Sequence, residues 1–148
     1  MDALQVPGIL DSLAAIRAYV RTVSEQAGVD KKRTYRLQLA IDEVATNIVS
    51  YGYDNGALQG DIVVDVEINP RRLTITLKDT APPFNPFAKK SPGDLTQPLD
   101  TRPVGGLGVF LAFKNVDEFR YVYEDGQNQN IFVLRLDQVV ETQPESNP

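Results

Sequence analysis

Two runs of β-branched residues near the middle of the chain restrict the fold more than any other feature. DIVVDVEI at 61–68 and RLTITLKD at 72–79 are separated only by Asn69-Pro70-Arg71. So short a connection predicts a β-hairpin, because parallel strands need a crossover of about a dozen residues or more. The centre of the fold is therefore predicted to be an antiparallel sheet.

A second hairpin and a short edge strand extend this predicted sheet. EFRYVYE at 118–124 and NIFVLRLD at 130–137 are joined by a turn at Asp125-Gly126. Residues 3–6 predict an edge strand, which Pro7-Gly8 ends.

Apolar residues at helical spacing predict two helices before the first long hairpin. The first runs from Ile9 to about Ala27, where apolar residues recur at steps of three or four, and Gly28 is a good stop for it. The second spans about 31–52, with Asp30 as its N-cap. Its apolar stripe consists of Leu37, Ile41, Val44 and Ile48.

The segment between the hairpins differs in composition. Residues 80–104 hold six of the ten prolines, which predicts a long irregular loop of the kind that often carries function. GGLGVFLAFKNV at 105–116 then predicts a glycine-led helix. Helices set apart from hairpins indicate an α+β two-layer sandwich, with a mainly antiparallel sheet covered on one face by helices. We expect one domain over 1–138 and a polar, frayed tail over 139–148.

The composition excludes several kinds of chemistry. The 148 residues include neither cysteine nor histidine. Disulfides, thiolate zinc sites, cysteine nucleophiles, Ser-His-Asp triads and a phosphohistidine on this chain are therefore excluded. The net charge of −5 argues against direct nucleic-acid binding, which depends on clustered Lys and Arg. Without a signal-peptide pattern or an apolar stretch of about 20 residues, we expect a cytoplasmic protein with no membrane contact.

Glu43 and Asn47 form the first candidate site. Their i, i+4 spacing places both side chains on one face of the second helix. An Asn carbonyl is a hard oxygen ligand suited to Mg²⁺, and a carboxylate can accept a proton from an attacking hydroxyl. The alternative is an exposed helix face with a stabilising hydrogen bond.

Two further places could bind parts of a nucleotide. Asp79 ends the second strand of the first hairpin, where its carboxylate can accept a hydrogen bond from an exocyclic amine such as that of adenine. Its alternative role is to start a turn. Gly105-Gly106-Leu107-Gly108 opens a predicted helix, whose first unpaired N–H groups favour phosphate. The alternative there is a flexible junction or tight packing of helix on sheet.

In this order, the E-x-x-x-N helix, the strand ending in Asp, the loop and the glycine-led helix resemble the GHKL (Bergerat-fold) ATPase superfamily. The short chain looks most like its anti-sigma-factor serine kinases. The resemblance spans about residues 9–137. It implies that Asn47 binds Mg²⁺, that Glu43 is the base and that Asp79 reads adenine. It places the second glycine box at Gly105–Gly108, under a lid of about residues 87–104.

The resemblance also implies an activity and partners. The activity is transfer of phosphate from ATP to a serine of a small anti-anti-sigma protein of the STAS type. The same chain would hold a sigma factor and form a homodimer. Arg102, just before the glycines, would offset charge on the γ-phosphate or contact a partner.

One motif departs from the family pattern. The first box, usually D-x-G-x-G, reads Asp79-Thr80-Ala81-Pro82-Pro83 and lacks both glycines. Because Ala81 precedes a proline, it is predicted to be extended rather than to have positive φ. Phe84 would pack against the base or close the core beneath it. The alternative function is a non-catalytic regulatory module in which nucleotide binding is weakened or lost.

Overall fold

In the computed structural model, residues 2–86 and 114–136 are described, and their centre is a five-stranded antiparallel sheet. The strand order is β1-β2-β3-β5-β4. The strands are β1 (Leu4–Pro7), β2 (Asp61–Ile68), β3 (Arg72–Asp79), β4 (Glu118–Glu124) and β5 (Gln127–Arg135). Both predicted hairpins and the edge strand are confirmed, and the bounds of β2, β3 and β4 match the prediction, whereas β1 lies one residue later than predicted and includes Pro7.

The strand β5 begins three residues earlier than predicted. Asp125 and Gly126 both have positive φ, 56° and 74°, as the two central residues of a type I′ turn require. A two-residue turn lets strand pairing resume at once, so Glu124 lies opposite Gln127. This shift brings Asn128 into the sheet, where it lies opposite Asp79 of β3.

Two helices precede the β2–β3 hairpin, as predicted. They are α1 (Leu13–Gln26) and α2 (Lys31–Asn47). The Asp30 side chain accepts a hydrogen bond from the Arg33 N–H at 2.7 Å, which confirms the predicted N-cap. The helix α1 starts later than predicted, after a short 3₁₀ turn, and Leu10 in that turn is 55% exposed.

The last turn of the second predicted helix is π-helical rather than α-helical. It covers Ile48–Gly52, and the Tyr53 N–H donates to the carbonyl of Ile48, five residues back, at 2.8 Å. A π turn is a feature that often accompanies functional sites. Here it follows Asn47 directly.

The core lies between the two helices and one face of the sheet. In β3 the buried side chains alternate with less buried ones, as expected for a strand with one covered face. The helices contribute Ile16, Val20, Val23, Leu37, Ile41 and Val44, and the sheet contributes Ile62, Val64, Leu73, Ile75, Leu77 and Phe132. The predicted α+β architecture with helices on one face is therefore confirmed.

Some predictions fall on residues outside the described ranges. They are the lid over 87–104, most of the glycine-led helix over 105–116 and the tail over 139–148. No helix in residues 2–86 or 114–136 combines the length and apolar character that a bilayer crossing requires.

Candidate functional site

A buried carboxylate marks the end of β3. Asp79 is only 3% exposed, and no salt bridge within the described residues includes it. Burial raises its pKa, and hydrogen bonds from Asn128 and from the Ala81 backbone partly oppose that rise. A buried carboxylate without a cation is costly to the fold. Such a group is a candidate for function.

Asn128 is the centre of the hydrogen-bond network around Asp79. Its Nδ2 lies within hydrogen-bond distance of three acceptors, Asp79 Oδ1 at 2.9 Å, the Ala81 carbonyl at 3.0 Å and the Pro82 carbonyl at 3.2 Å, which share its two N–H groups. Its Oδ1 accepts from the Phe84 N–H at 3.0 Å and from the Tyr121 hydroxyl. One side chain of β5 therefore holds the segment that follows β3. The sequence interpretation missed Asn128, because it started this strand at Asn130.

The methyl group of Ala81 points into the protein. Ala81 is buried, and a Cβ built on Gly52 would lie 3.2 Å from the Ala81 Cβ. In the described part of the chain, the non-glycine residues with positive φ are Asp54, Asn55 and Asp125. The expectation that Ala81 avoids positive φ is therefore confirmed. Its extra methyl lies against Gly52, the last residue of the π turn that follows α2.

An aromatic pair joins this segment to the helix. The ring of Phe84 stacks on that of Tyr51, with centroids 5.8 Å apart and planes at 13°. Phe84 is half-buried, so it does not close the core, which was one of its two predicted roles. Tyr51 lies four residues after Asn47. The stacked rings thus link the Asp79 end of the site to the Asn47 end.

Glu43 and Asn47 both lie on α2 but in different surroundings. Glu43 is half-buried, and burial, followed by the negative charge of Asp42, raises its pKa. Asn47 is 3% exposed, and within the described residues no hydrogen bond occupies its side-chain amide. The alternative of an exposed helix face therefore does not describe Asn47. A raised pKa makes Glu43 a better proton acceptor near neutral pH than an ordinary carboxylate.

The donor set fits a magnesium ion carried by a nucleotide better than a metal held by protein alone. Residues 2–86 and 114–136 contain no cluster of three or more metal-binding His, Cys, Asp or Glu side chains. Magnesium in nucleotide sites is commonly held by one or two protein oxygens together with phosphate oxygens and water. The unoccupied carbonyl oxygen of Asn47 is suited to that arrangement.

Tyr53 positions the residue next to Asp79. Its hydroxyl donates to the Asp61 carbonyl at 2.8 Å and accepts from the Thr80 N–H at 3.0 Å. The ring is fully buried, and it fills the space where Cβ atoms of Gly8 and Gly60 would lie. No pattern in the sequence predicts this contact, because Tyr53 and Thr80 are 27 residues apart and meet only in the folded chain.

The predicted phosphate side of the site lies outside the described residues. It comprises Arg102, Gly105, Gly106, Leu107 and Gly108. Their roles stay predictions.

Comparison with known proteins agrees with this arrangement. A family model described as histidine kinase-like ATPase domain matches residues 6–135. The chain is 25% identical over 148 residues to the serine-protein kinase RsbW of Bacillus mycoides (strain KBAB4), which covers 98% of this chain and 90% of that protein. Proteins of the same name from Bacillus cereus (strain AH820) and Bacillus anthracis (strain A0248) are 24% identical with the same coverage.

Proposed function

The chain belongs to the family of histidine kinase-like ATPase domains, and on that basis we propose that it is an ATP-dependent protein serine kinase of the anti-sigma-factor type. Its substrate would be a serine of a small anti-anti-sigma protein of the STAS type. It would also sequester a sigma factor, as a cytoplasmic homodimer. The similar proteins bear the name serine-protein kinase. The main support from the site is the buried Asp79 carboxylate, which is oriented by neutral donors and forms no salt bridge within residues 2–86 and 114–136.

Asp79 and its segment would bind the base of ATP. The carboxylate accepts a hydrogen bond from the exocyclic amine of adenine. Although Ala81 replaces a glycine of the family pattern, its methyl packs against Gly52, which supports nucleotide binding despite the altered box. The phosphates would lie at Gly105–Gly108, with Arg102 nearby.

Glu43 and Asn47 would serve the transfer step. Asn47 would hold Mg²⁺, which when bound neutralises charge on the phosphate oxygens. The serine oxygen of the partner attacks the γ-phosphorus, the bond to the β–γ bridging oxygen breaks, and ADP leaves. Glu43 accepts the proton of the serine hydroxyl. Phosphoryl transfer depends mostly on positioning and charge stabilisation, so these few groups suffice.

Calorimetric titration with ATP tests the nucleotide site. We expect binding that is tighter with Mg²⁺ than without, and we expect Asn47→Ala to remove that difference because its carbonyl is the protein ligand. Thr46→Ala is the matched control, since the Thr46 hydroxyl only donates to the Asp42 carbonyl within the same helix. If the wild-type protein binds no ATP at millimolar concentration, the kinase proposal is wrong.

A non-catalytic regulatory module is the second candidate, and the glycine-free first box favours it. Incubation with radiolabelled ATP and co-encoded partner proteins separates the two functions. Label on a partner serine supports the kinase. Stable complexes that never acquire label support the module.

The dependence of transfer on pH tests the state of Glu43. Glu43 accepts a proton only when ionised, so the rate falls as pH falls through its raised pKa. This falling part of the pH–rate profile is its acidic limb. We expect Asp42→Asn to move this acidic limb to lower pH, because it removes a charge that raises the pKa of Glu43. The measurement is the initial rate of transfer against pH.

Arg17→Gln is the control for that shift. Asp42 pairs with Arg17 at 2.6 Å, and this variant breaks the same pair while it keeps the Asp42 charge. The acidic limb should then not move to lower pH. A shift to lower pH in both variants would mean that the ion pair, and not the Asp42 charge, controls the limb.

A further inference from the structure

We infer that Asn128 is a positioning residue that leaves only one oxygen of Asp79 free, and that it thereby makes the site prefer adenine to guanine. The inference rests on the proposed nucleotide function. It adds a residue of β5 that itself contacts no part of the nucleotide.

The two carboxylate oxygens of Asp79 have different surroundings. Oδ1 accepts from Asn128 Nδ2 at 2.9 Å and from the Ala81 N–H at 3.1 Å. A carboxylate oxygen has about two lone-pair positions, so Oδ1 is filled. Within the described residues, no hydrogen bond reaches Oδ2. Asp79 therefore offers a ligand one acceptor oxygen instead of two.

One acceptor oxygen suits adenine. The pairing edge of adenine presents a single donor, its exocyclic amine, beside a ring acceptor. Guanine presents a ring N–H and an amine side by side, and these two donors match both oxygens of a free carboxylate. With Oδ1 filled, one guanine donor stays unpaired. An unpaired donor in a site built for hydrogen bonding lowers affinity strongly.

The amide of Asn128 has only one acceptable orientation. Its Nδ2 faces three acceptors, Asp79 Oδ1 and the carbonyls of Ala81 and Pro82. Its Oδ1 faces two donors, the Phe84 N–H and the Tyr121 hydroxyl. A flipped amide would place oxygen against oxygen and N–H against N–H. Asn128 therefore presents an N–H to Asp79 in every molecule.

Asn130 on the same strand provides a matched control. Both residues are 2% exposed, and they lie two positions apart on β5. Asn130 lies opposite Leu77 rather than Asp79. Its Oδ1 has no hydrogen-bond partner in the described part of the chain. An Asn130 variant makes the same truncation at an equally buried position of this strand but leaves the Asp79 network intact.

The first test measures the dissociation constants of Mg-ATP and Mg-GTP by calorimetry. The preference for ATP is the Mg-GTP constant divided by the Mg-ATP constant. We expect Asn128→Ala to reduce the preference for ATP about tenfold, which corresponds to about 1.4 kcal/mol. Asn130→Ala should leave the preference within about twofold of wild type. A folded Asn128→Ala protein with the wild-type preference would overturn the inference.

A second variant gives a readout that a purely structural role would not move. Asn128→Asp keeps the size of the side chain but places a carboxylate against Asp79. At neutral pH we expect the ATP preference to fall. As pH falls, the new carboxyl group becomes protonated and donates to Asp79 Oδ1, so the preference should recover. A preference that does not change with pH in this variant would contradict the inference, even if Asn128→Ala fails to fold.

The outcomes separate this inference from the function on which it rests. If wild-type protein binds neither nucleotide, or if Asp79→Asn binds ATP as well as wild type, the assignment of the base site is wrong and the inference falls with it. If ATP binding depends on Asp79 but both Asn128 variants keep the wild-type preference at every pH, only the inference is overturned.

Discussion

Replacing Glu43 with glutamine should lower the rate of phosphate transfer by about 10²–10⁴-fold, the usual contribution of a general base. Glutamine has nearly the same size and shape, so the helix α2 and its packing should be unchanged. An amide cannot accept the proton of the attacking serine hydroxyl. ATP binding should stay within about twofold of wild type, because the proposed role of Glu43 is on the serine hydroxyl and not on the nucleotide.

Single-turnover transfer from radiolabelled ATP to the partner protein measures this effect directly. Glu25→Gln makes the same chemical change on α1, where the side chain is exposed, and should leave the rate unchanged. Wild-type transfer by the Glu43→Gln protein would remove Glu43 from the mechanism. A parallel loss of ATP binding would instead assign Glu43 to the nucleotide site.

The Gly60→Ala substitution should destabilise the fold by about 1–3 kcal/mol, as overpacking of a filled core does. A Cβ at Gly60 would lie 2.5 Å from Tyr53 Cε1 and 2.7 Å from the Tyr53 hydroxyl oxygen. The ring cannot move away easily, because Gly8 lies against its other edge, so closely that a Cβ there would be 2.4 Å from Tyr53 Cδ2. For a chain of this size, each kcal/mol lowers Tm by about 2–4 °C. Thermal unfolding followed by circular dichroism measures the loss.

A double-mutant cycle shows whether the Tyr53 ring causes that loss. Tyr53→Leu removes the ring and its hydroxyl, at a cost of its own. In the Tyr53→Leu background, Gly60→Ala should destabilise much less than in wild type, because the added methyl no longer meets the ring. Additive effects of the two substitutions would show that the strain at Gly60 has another source.

The hairpins were the most predictable part of the fold. The runs 61–68 and 72–79 are rich in β-branched residues, and polar or turn residues flank them. Their strand bounds agree with the structure for that reason. The π turn at Ile48–Gly52 was not predictable. A π turn contains one residue more than an α turn. In so short a segment, that extra residue changes the spacing of the apolar side chains too little to be recognised in the sequence.

The site was predicted in part. Glu43 and Asn47 were proposed because helical spacing places them on one face, and Asp79 because it ends a strand; the structure shows their positions and burial, and their roles stay predictions. Asn128 was missed because the predicted strand began at Asn130, and Asn is depleted in strands. The Asp125-Gly126 pair carried a usable signal. That dipeptide favours a two-residue turn, and such a turn starts β5 at Gln127 and places Asn128 opposite Asp79.

The pairing of β3 with β5 also determines when the site can exist during folding. Asp79 and Asn128 are 49 residues apart in sequence, so their contact requires closure of a large loop, which slows folding. The helices and the β2–β3 hairpin can form on a growing chain before β5 is synthesised. Until then, the Asp79 carboxylate lacks the partner that orients it. On the proposed function, nucleotide recognition would therefore be a property of the finished fold, and bound nucleotide should stabilise the completed protein without assisting a nascent one.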